Sequence, residues 1–307
     1  MKTASKKPGE CGLLEQAVTQ TGDAVLIATA DGVIQFVNPA FEQLTGFTAA
    51  EAIGRTPALL KSGSHPDAFF SALWKTITNG EVFRGVISNR RKNGALYHEE
   101  KTITPIRDGQ GVITHFVSTG RDVSDRLLAT ARFEYLANHD SLTGLPNRAL
   151  FMDRLAQAVL RSQREQTGLA LLFIDVDHFK AINDGFGHSA GDAVLVEVGS
   201  RLRSAVRDED SVARLGGDEF TVIVEGLKNP ADSSRVGQAI IASFKTPFML
   251  DGKALKVGVS VGIAAFPEDG GDVNALLKHA DIAMFCAKAS GRNTCAHFGE
   301  TKLQKSS

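Results

Sequence analysis

The sequence predicts an α+β/α-β multidomain chain: a small antiparallel sheet with flanking helices, a short connecting helix, then a central mixed sheet covered by helices. Three observations predict this. At 307 residues the chain exceeds one typical core and suits about two domains of ~100–200 residues. Residues 24–122 hold short strand-like runs punctuated by glycine turns, with helical signals after the second run. Residues 148–289 alternate helix-period segments with apolar strands, the pattern of a sheet layered with helices.

Composition narrows the class. An apolar fraction of 43% with 22% charged residues is that of a soluble globular protein. A formal net charge of −1 creates no global field toward nucleic acid or an anionic membrane, so neither is expected as a partner. Cys11, Cys286 and Cys295 show no metal or disulfide spacing, and Cys286 reads as a small core residue of a helix. The basic start MKTASKKPGE is followed by no apolar run, and stretches such as LALLFI fall far short of the ~20 residues of a spanning helix. A cytoplasmic location is expected.

Residues 1–10 read as a flexible tail, 11–123 as a first domain, 124–138 as a linker helix, 139–300 as a second domain and 301–307 as a tail. In the first domain, AVLIATADGVIQFVN is two alternating runs joined by Asp31-Gly32, a two-residue hairpin signal. Asn38 and Pro39 are an N-cap and a first helical residue. Three later strand runs are separated by turns at Asn93-Gly94 and Asp108-Gly109. SDRLLATARFEYLAN, with Leu128, Tyr135 and Leu136, reads as an amphipathic connector or a passive linker. In the second domain, Leu150, Phe151, Leu155, Ala158 and Val159 recur at helical spacing, as do Val194, Leu195, Val198 and Leu202. Between lies LALLFI, a buried strand ending in Asp175 and Asp177. ARLGGDEFTVIV then reads as a hairpin with Asp218 and Glu219 at its tip. Helices near 231–245 and 273–289 flank the strand KVGVSVGIAAF.

These acids carry the chemistry. If the two strands are neighbours, Asp175 and a tip acid converge at one end of the sheet. Clustered carboxylates repel unless a cation joins them, and Mg²⁺ takes few carboxylates while keeping phosphate oxygens in its shell. Gly216 and Gly217 let a nucleotide approach without a Cβ in the way. Lys180, Asn183, His188 and Asp192 follow Asp175, and Lys288 and Arg292, four apart, read as one helical face able to meet phosphate. Solvated turn acids and helix-end cations are the competing reading of each feature taken alone.

Two resemblances gather these residues. DGVIQFVNPAFEQLTGF and GRDVSD, within Leu13 to Val123, resemble a PAS sensor domain. HDSLTGLPNR, FIDVDHFKAIND, GHSAGD, RLGGDEF and ADIAMFCAKASGRN, across 139–298, resemble the GGDEF family of diguanylate cyclases. The second resemblance implies a polymerase-palm-like fold and condensation of two GTP into cyclic di-GMP with release of two pyrophosphates. It implies that Asp175, the Val176 carbonyl and Asp218, with Glu219 beside them, hold Mg²⁺ or Mn²⁺. Asp218 or Glu219 would accept the 3′-hydroxyl proton. Lys180 would stabilise the transferring phosphoryl group, and Lys288 and Arg292 the outgoing pyrophosphate. Asn183 and Asp192 would read guanine, whose N–H edge suits an ionised Asp. His188 would touch substrate or serve its loop. Because the product joins two identical nucleotides head to tail, one half-site cannot supply both reactants, and a homodimer is expected.

Arg207 and Asp210 match the family's inhibitory R-x-x-D site for product, and a charged turn is the competing reading. Trp74, Asn89 and the RRK after it resemble flavin-binding PAS domains, making FAD a candidate sensor cofactor; an empty sensor remains open, and His65 and His98 are the haem candidates. IGRTPALL lacks the cysteine of light-sensing flavin domains. A catalytically silent nucleotide-binding module is the alternative function, although the GGDEF residues are intact. With the chain ending at Ser307, a phosphodiesterase hybrid is not expected.

Overall fold

The computed structural model describes residues 8–300 apart from 228, 230 and 251. The tail expected at 301–307, and residues 1–7 of the one at the start, lie outside the described residues. Two compact units, Met1–Ala131 and Arg132–Ser307, meet within one helix.

The first unit opens with α1 (Pro8–Gln20), so helix already holds residues 8–10 of the expected tail. β1 (Ala24–Thr29) and β2 (Ile34–Val37) pair antiparallel. Their link is longer than the two-residue turn expected: Ala28 pairs with Ile34, a register shift follows Ile27, and Gly32 takes φ 81°. A Cβ at Gly32 would come within 2.8 Å of the Trp74 ring, so glycine is needed there for space as well as conformation. α2 (Pro39–Thr45) begins as the sequence predicts, with the Asn38 side chain accepting from Phe41 N. α3 (Ala49–Ala52), a 3₁₀ turn (Pro57–Leu60) and α4 (Asp67–Thr78) follow. β3 (Phe83–Arg90), β4 (Leu96–Arg107) and β5 (Ile113–Asp122) complete a sheet of order β2-β1-β5-β4-β3. In the β4–β5 turn the left-handed glycine is Gly111.

α5 (Ser124–Asn138) is the predicted connector, but it is not the amphipathic helix expected. Leu127, Leu128, Phe133, Tyr135 and Leu136 are all exposed and point around its circumference.

The second unit starts with α6 (Arg148–Glu165), which buries Phe151, Leu155, Ala158 and Val159. β6 (Gly168–Val176) is almost wholly buried, as a continuous apolar run requires. α7 (Phe179–Phe186) and α8 (His188–Ala205) lead to the hairpin β7 (Ser211–Gly216) and β8 (Glu219–Leu227). Then come α9 (Ala231–Ser243) and a small hairpin, β9 (Phe248–Leu250) and β10 (Lys253–Leu255), which was not foreseen. β11 (Val259–Phe266), α10 (Val273–Ala289) and β12 (Cys295–His297) finish the unit. The sheet order is β12-β11-β6-β8-β7, mixed because β12 runs parallel to β11 while the other pairs are antiparallel. One core packs Val194, Leu195, Val198 and Leu202 of α8 on one face of the sheet, and another packs α6 and α10 on the other. Cys286 is only half-buried, a correction to its expected core place, because α10 turns Ala283, Met284 and Ala287 inward instead. Among the described residues no helix is long and apolar enough to cross a membrane.

Candidate active site

Strand register decides the geometry. β6 pairs with β8 so that Asp175 stands directly opposite Glu219, and Asp218 O accepts from Val176 N at 3.2 Å. Direct partners on antiparallel strands face the same side, so the strand acid and the tip acid converge. Gly216 and Gly217 take φ 147° and 54°, conformations that side chains resist, and both Cβ directions open into free space. Burial pushes the Asp175 carboxyl up, and repulsion from Asp218 adds to it against the bond from Lys288. Burial likewise raises Glu219, with Asp175 repelling it and Arg148 opposing the rise. The acids are therefore held close at a cost, as in sites poised for a cation or a proton.

Lys288 meets this cluster directly, its Nζ 2.7 Å from Asp175 Oδ2. It does not share a helical face with Arg292, a correction to the spacing argument. α10 stops at Ala289, and Arg292 lies beyond it with φ 61°. Lys180 is exposed on the first turn of α7. Asn183 lies against Gly191, where a Cβ would fall 1.9 Å from its Oδ1, and Asp192, the next residue of α8, is exposed. His188 is exposed at the first position of α8.

Two residues that sequence reasoning missed support the tip. Arg214 is buried and donates to Gly217 O from Nε (3.0 Å) and Nη2 (2.7 Å), and from Nη1 to Asp140 Oδ1 at 2.8 Å. Burial raises Asp140, but bonds from Thr143 and Arg214 outweigh it and hold the carboxyl below its ordinary value. The signal was an arginine two residues before the glycine pair and an acid in HDSLTG. Their pairing spans 74 residues, which periodicity does not report.

Arg207 reaches Glu209, and its backbone N donates to Asp210 Oδ2 at 3.0 Å. Asp210 Oδ1 is buried, and burial raises that carboxyl against backbone bonds from Arg207 and Glu225.

The first unit encloses a cavity of about 330 Å³. Its walls are mostly apolar, with Trp74 and Phe116 set edge to face, and Asn89, Lys101 and Ser118 supply polar groups. Glu99 accepts from Asn89 Nδ2 at 2.7 Å and pairs with Lys101 Nζ at 3.1 Å. The RRK segment serves elsewhere: Arg90 bonds Ser62 O and Gly94 O, Arg91 bonds Leu44 O and Asp122, and Lys92 pairs with Glu51. His65 accepts from Ser88 N and His98 bonds Ser88 Oγ, and neither lines the cavity.

Residues 137–294 match the model of the family described as diguanylate cyclase, GGDEF domain, and residues 12–123 match the PAS fold. The chain belongs to the GGDEF family. It carries a PAS domain ahead of the GGDEF domain. Diguanylate cyclase TpbB of Pseudomonas aeruginosa is 47% identical over 165 residues, which are 53% of this chain and 38% of that protein. Cyclic di-GMP phosphodiesterase PdeR of Escherichia coli is 30% identical over 292 residues, 91% of this chain and 42% of that one. A solved TpbB fragment from Pseudomonas aeruginosa comprising only the GGDEF domain superposes with a TM-score of 0.52 at 44% identity, covering 54% of this chain and 99% of the fragment. The chain thus spans less than half the length of either curated relative. These likenesses place it among proteins of cyclic di-GMP signalling.

Proposed function

We propose that this protein is a PAS-regulated diguanylate cyclase that condenses two GTP into cyclic di-GMP and two pyrophosphates. The register that sets Asp175 against Glu219 carries the reading. Asp218 or Glu219 accepts the proton of a 3′-hydroxyl, that oxygen bonds to the α-phosphorus of a second GTP, and the bond to pyrophosphate breaks. The same exchange in the other direction closes the ring. Each chain offers one half-site, so the active unit is a homodimer.

The donor set fits Mg²⁺ or Mn²⁺. Asp175 opposite Glu219 gives hard oxygen donors, and Mg²⁺ prefers one or two carboxylates plus phosphate oxygens. Asp175, the Val176 carbonyl and Asp218 would hold it, with Glu219 adjacent, and it would supply charge neutralisation at the α-phosphate. Lys288 relieves the Asp175 charge in the free protein and is released toward phosphate when a cation takes that role. Lys180 and Arg292 meet the remaining phosphate charge, and the Asn183–Asp192 pair reads guanine.

Arg207 and Asp210 form an inhibitory product site, where the exposed Arg207 guanidinium can meet the O6 and N7 edge of guanine. The first-unit cavity, lined by Trp74, Phe116 and other apolar residues, would hold the flat ring of a flavin; Asn89 and Lys101 are both engaged by Glu99, so Ser118 is the polar group left to meet it. An absorption spectrum of the purified protein tests that cofactor. Incubation with GTP and Mg²⁺ followed by chromatography tests the reaction: one cyclic di-GMP per two pyrophosphates is expected. Bound GTP with no product would leave the silent module as the function.

A further inference from the structure

Asp177 is the acid of the FIDVD motif for which the mechanism has no use. It is buried, and both of its carboxylate oxygens accept from groups outside the Asp175–Glu219 pair. Its Oδ1 accepts from Ser260 Oγ at 2.7 Å, and its Oδ2 accepts from Asn293 N at 2.9 Å. Its own backbone N donates to Gly258 O at 2.9 Å. Gly258 leaves the room needed, because a Cβ there would lie 3.0 Å from Asp177 Oδ2 and 3.2 Å from Asn293 Oδ1. The segment so held is unusual: Arg292 and Asn293 are consecutive non-glycine residues in the left-handed region, at φ 61° and 48°. Such a pair is costly and persists only where surrounding contacts fix it. The Arg292 side chain is exposed.

We infer that Asp177 is a positioning residue for the phosphate end of the substrate: by clamping Ser260 and Asn293 it fixes the left-handed Arg292–Asn293 pair and thereby aims the Arg292 guanidinium. The inference rests on the assignment of Arg292 to the triphosphate. It explains why the loop after α10, rather than α10 itself, delivers this cation. An arginine on an unclamped loop would lose conformational entropy on each binding event, whereas a fixed one presents its fork already oriented.

The test compares binding of GMPCPP, a GTP analogue with a methylene between the α and β phosphorus atoms, with binding of GMP, by calorimetry on the full chain. Asp177→Ala should weaken GMPCPP about tenfold, the scale of one lost charge-assisted contact, and leave GMP within twofold. Arg292→Ala should do the same, and the double variant should lose no more than either alone. Asp177→Asn should recover most of the affinity, because an amide can still accept from Asn293 N while donating to Ser260 Oγ. Should Asp177→Ala fail to fold by circular dichroism, Ser260→Ala carries the same comparison. Equal weakening of GMP and GMPCPP, or losses that multiply in the double variant, would overturn the inference. A wild-type protein that does not prefer GMPCPP to GMP would overturn the assignment of Arg292 instead.

Discussion

Both units bury carboxylates, and they treat them in opposite ways. In the first, Glu99 is 2% exposed and is met by Lys101, Asn89 and the Tyr97 hydroxyl, with room made by Gly120, where a Cβ would strike Glu99 Oε1. In the second, Asp175 and Glu219 face one another across a strand pair, and Lys288 pairs with Asp175 while Arg148 acts on Glu219 only at a distance. A buried charge with three donors is satisfied and adds rigidity; a buried acid facing a half-buried one of like charge is a standing cost that a cation can relieve. The contrast separates two uses of a carboxylate: the satisfied cluster shapes a cavity wall, and the other leaves two acids in mutual repulsion.

The largest break in this comparison comes from removing an acid of the unsatisfied cluster. Asp218→Ala should lower cyclic di-GMP synthesis by at least ~10²–10³-fold while far-ultraviolet circular dichroism stays unchanged. Turnover near wild type at equal folded concentration would remove Asp218 from the site.

Breaking the satisfied cluster should act on stability instead. Lys101→Met leaves Glu99 buried without its cation, and the first unit should lose about 3–5 kcal/mol. Trp74 is the chain's one tryptophan and lines that cavity, so its fluorescence during urea unfolding reports this unit. An unshifted midpoint would mean that Asn89 and Tyr97 suffice for Glu99.

The support beneath the tip is intermediate. Arg214→Lys keeps the charge but cannot bridge Gly217 O and Asp140 together, so kcat should fall by roughly tenfold, one lost hydrogen bond to a charged group, with KM for GTP little changed. A pure KM effect would assign Arg214 to substrate binding.

The smallest effect concerns the cost itself. Glu219 is raised by burial and by Asp175, so its ionised form is disfavoured in the folded state. For an acid raised in this way the folded state holds the proton more tightly than the unfolded one. Stability therefore declines as pH climbs from the ordinary carboxylate range near ~4.3 through the raised value, and the penalty is fully present at neutral pH. Glu219→Gln should raise the neutral-pH melting temperature of the second unit by about 1–3 °C, a modest gain because the side chain is partly solvated. That gain should vanish at pH 4. A fall in melting temperature at neutral pH would show the acid to be compensated after all.

Much of the molecule was legible because its signals are local. The Asn38 cap, the buried faces of α6 and α8 and the Gly216-Gly217 tip are set by residues within a few positions of one another. Even the meeting of Asp175 with the tip acids followed from two strands whose ends carry acids, given that they are neighbours. The failures mark where that logic stops. The periodicity that put Lys288 and Arg292 on one face assumed that α10 continues, but it ends at Ala289 and the chain reverses hand. The apolar residues of α5 proved to be spread around the helix. The RRK run was read with the cavity, whereas strand packing spends each of its cations on another part of the unit.

By itself the sequence determined the two-domain order, the faces that α6 and α8 bury and the inventory of acids and cations, since propensity, capping and period act over one or two turns of chain. Only the tertiary structure decided which acids repel and which are satisfied. Asp140 finds Arg214 across 74 positions and Asp177 finds Asn293 across 116, and such pairings arise from strand order and packing, which no local pattern encodes.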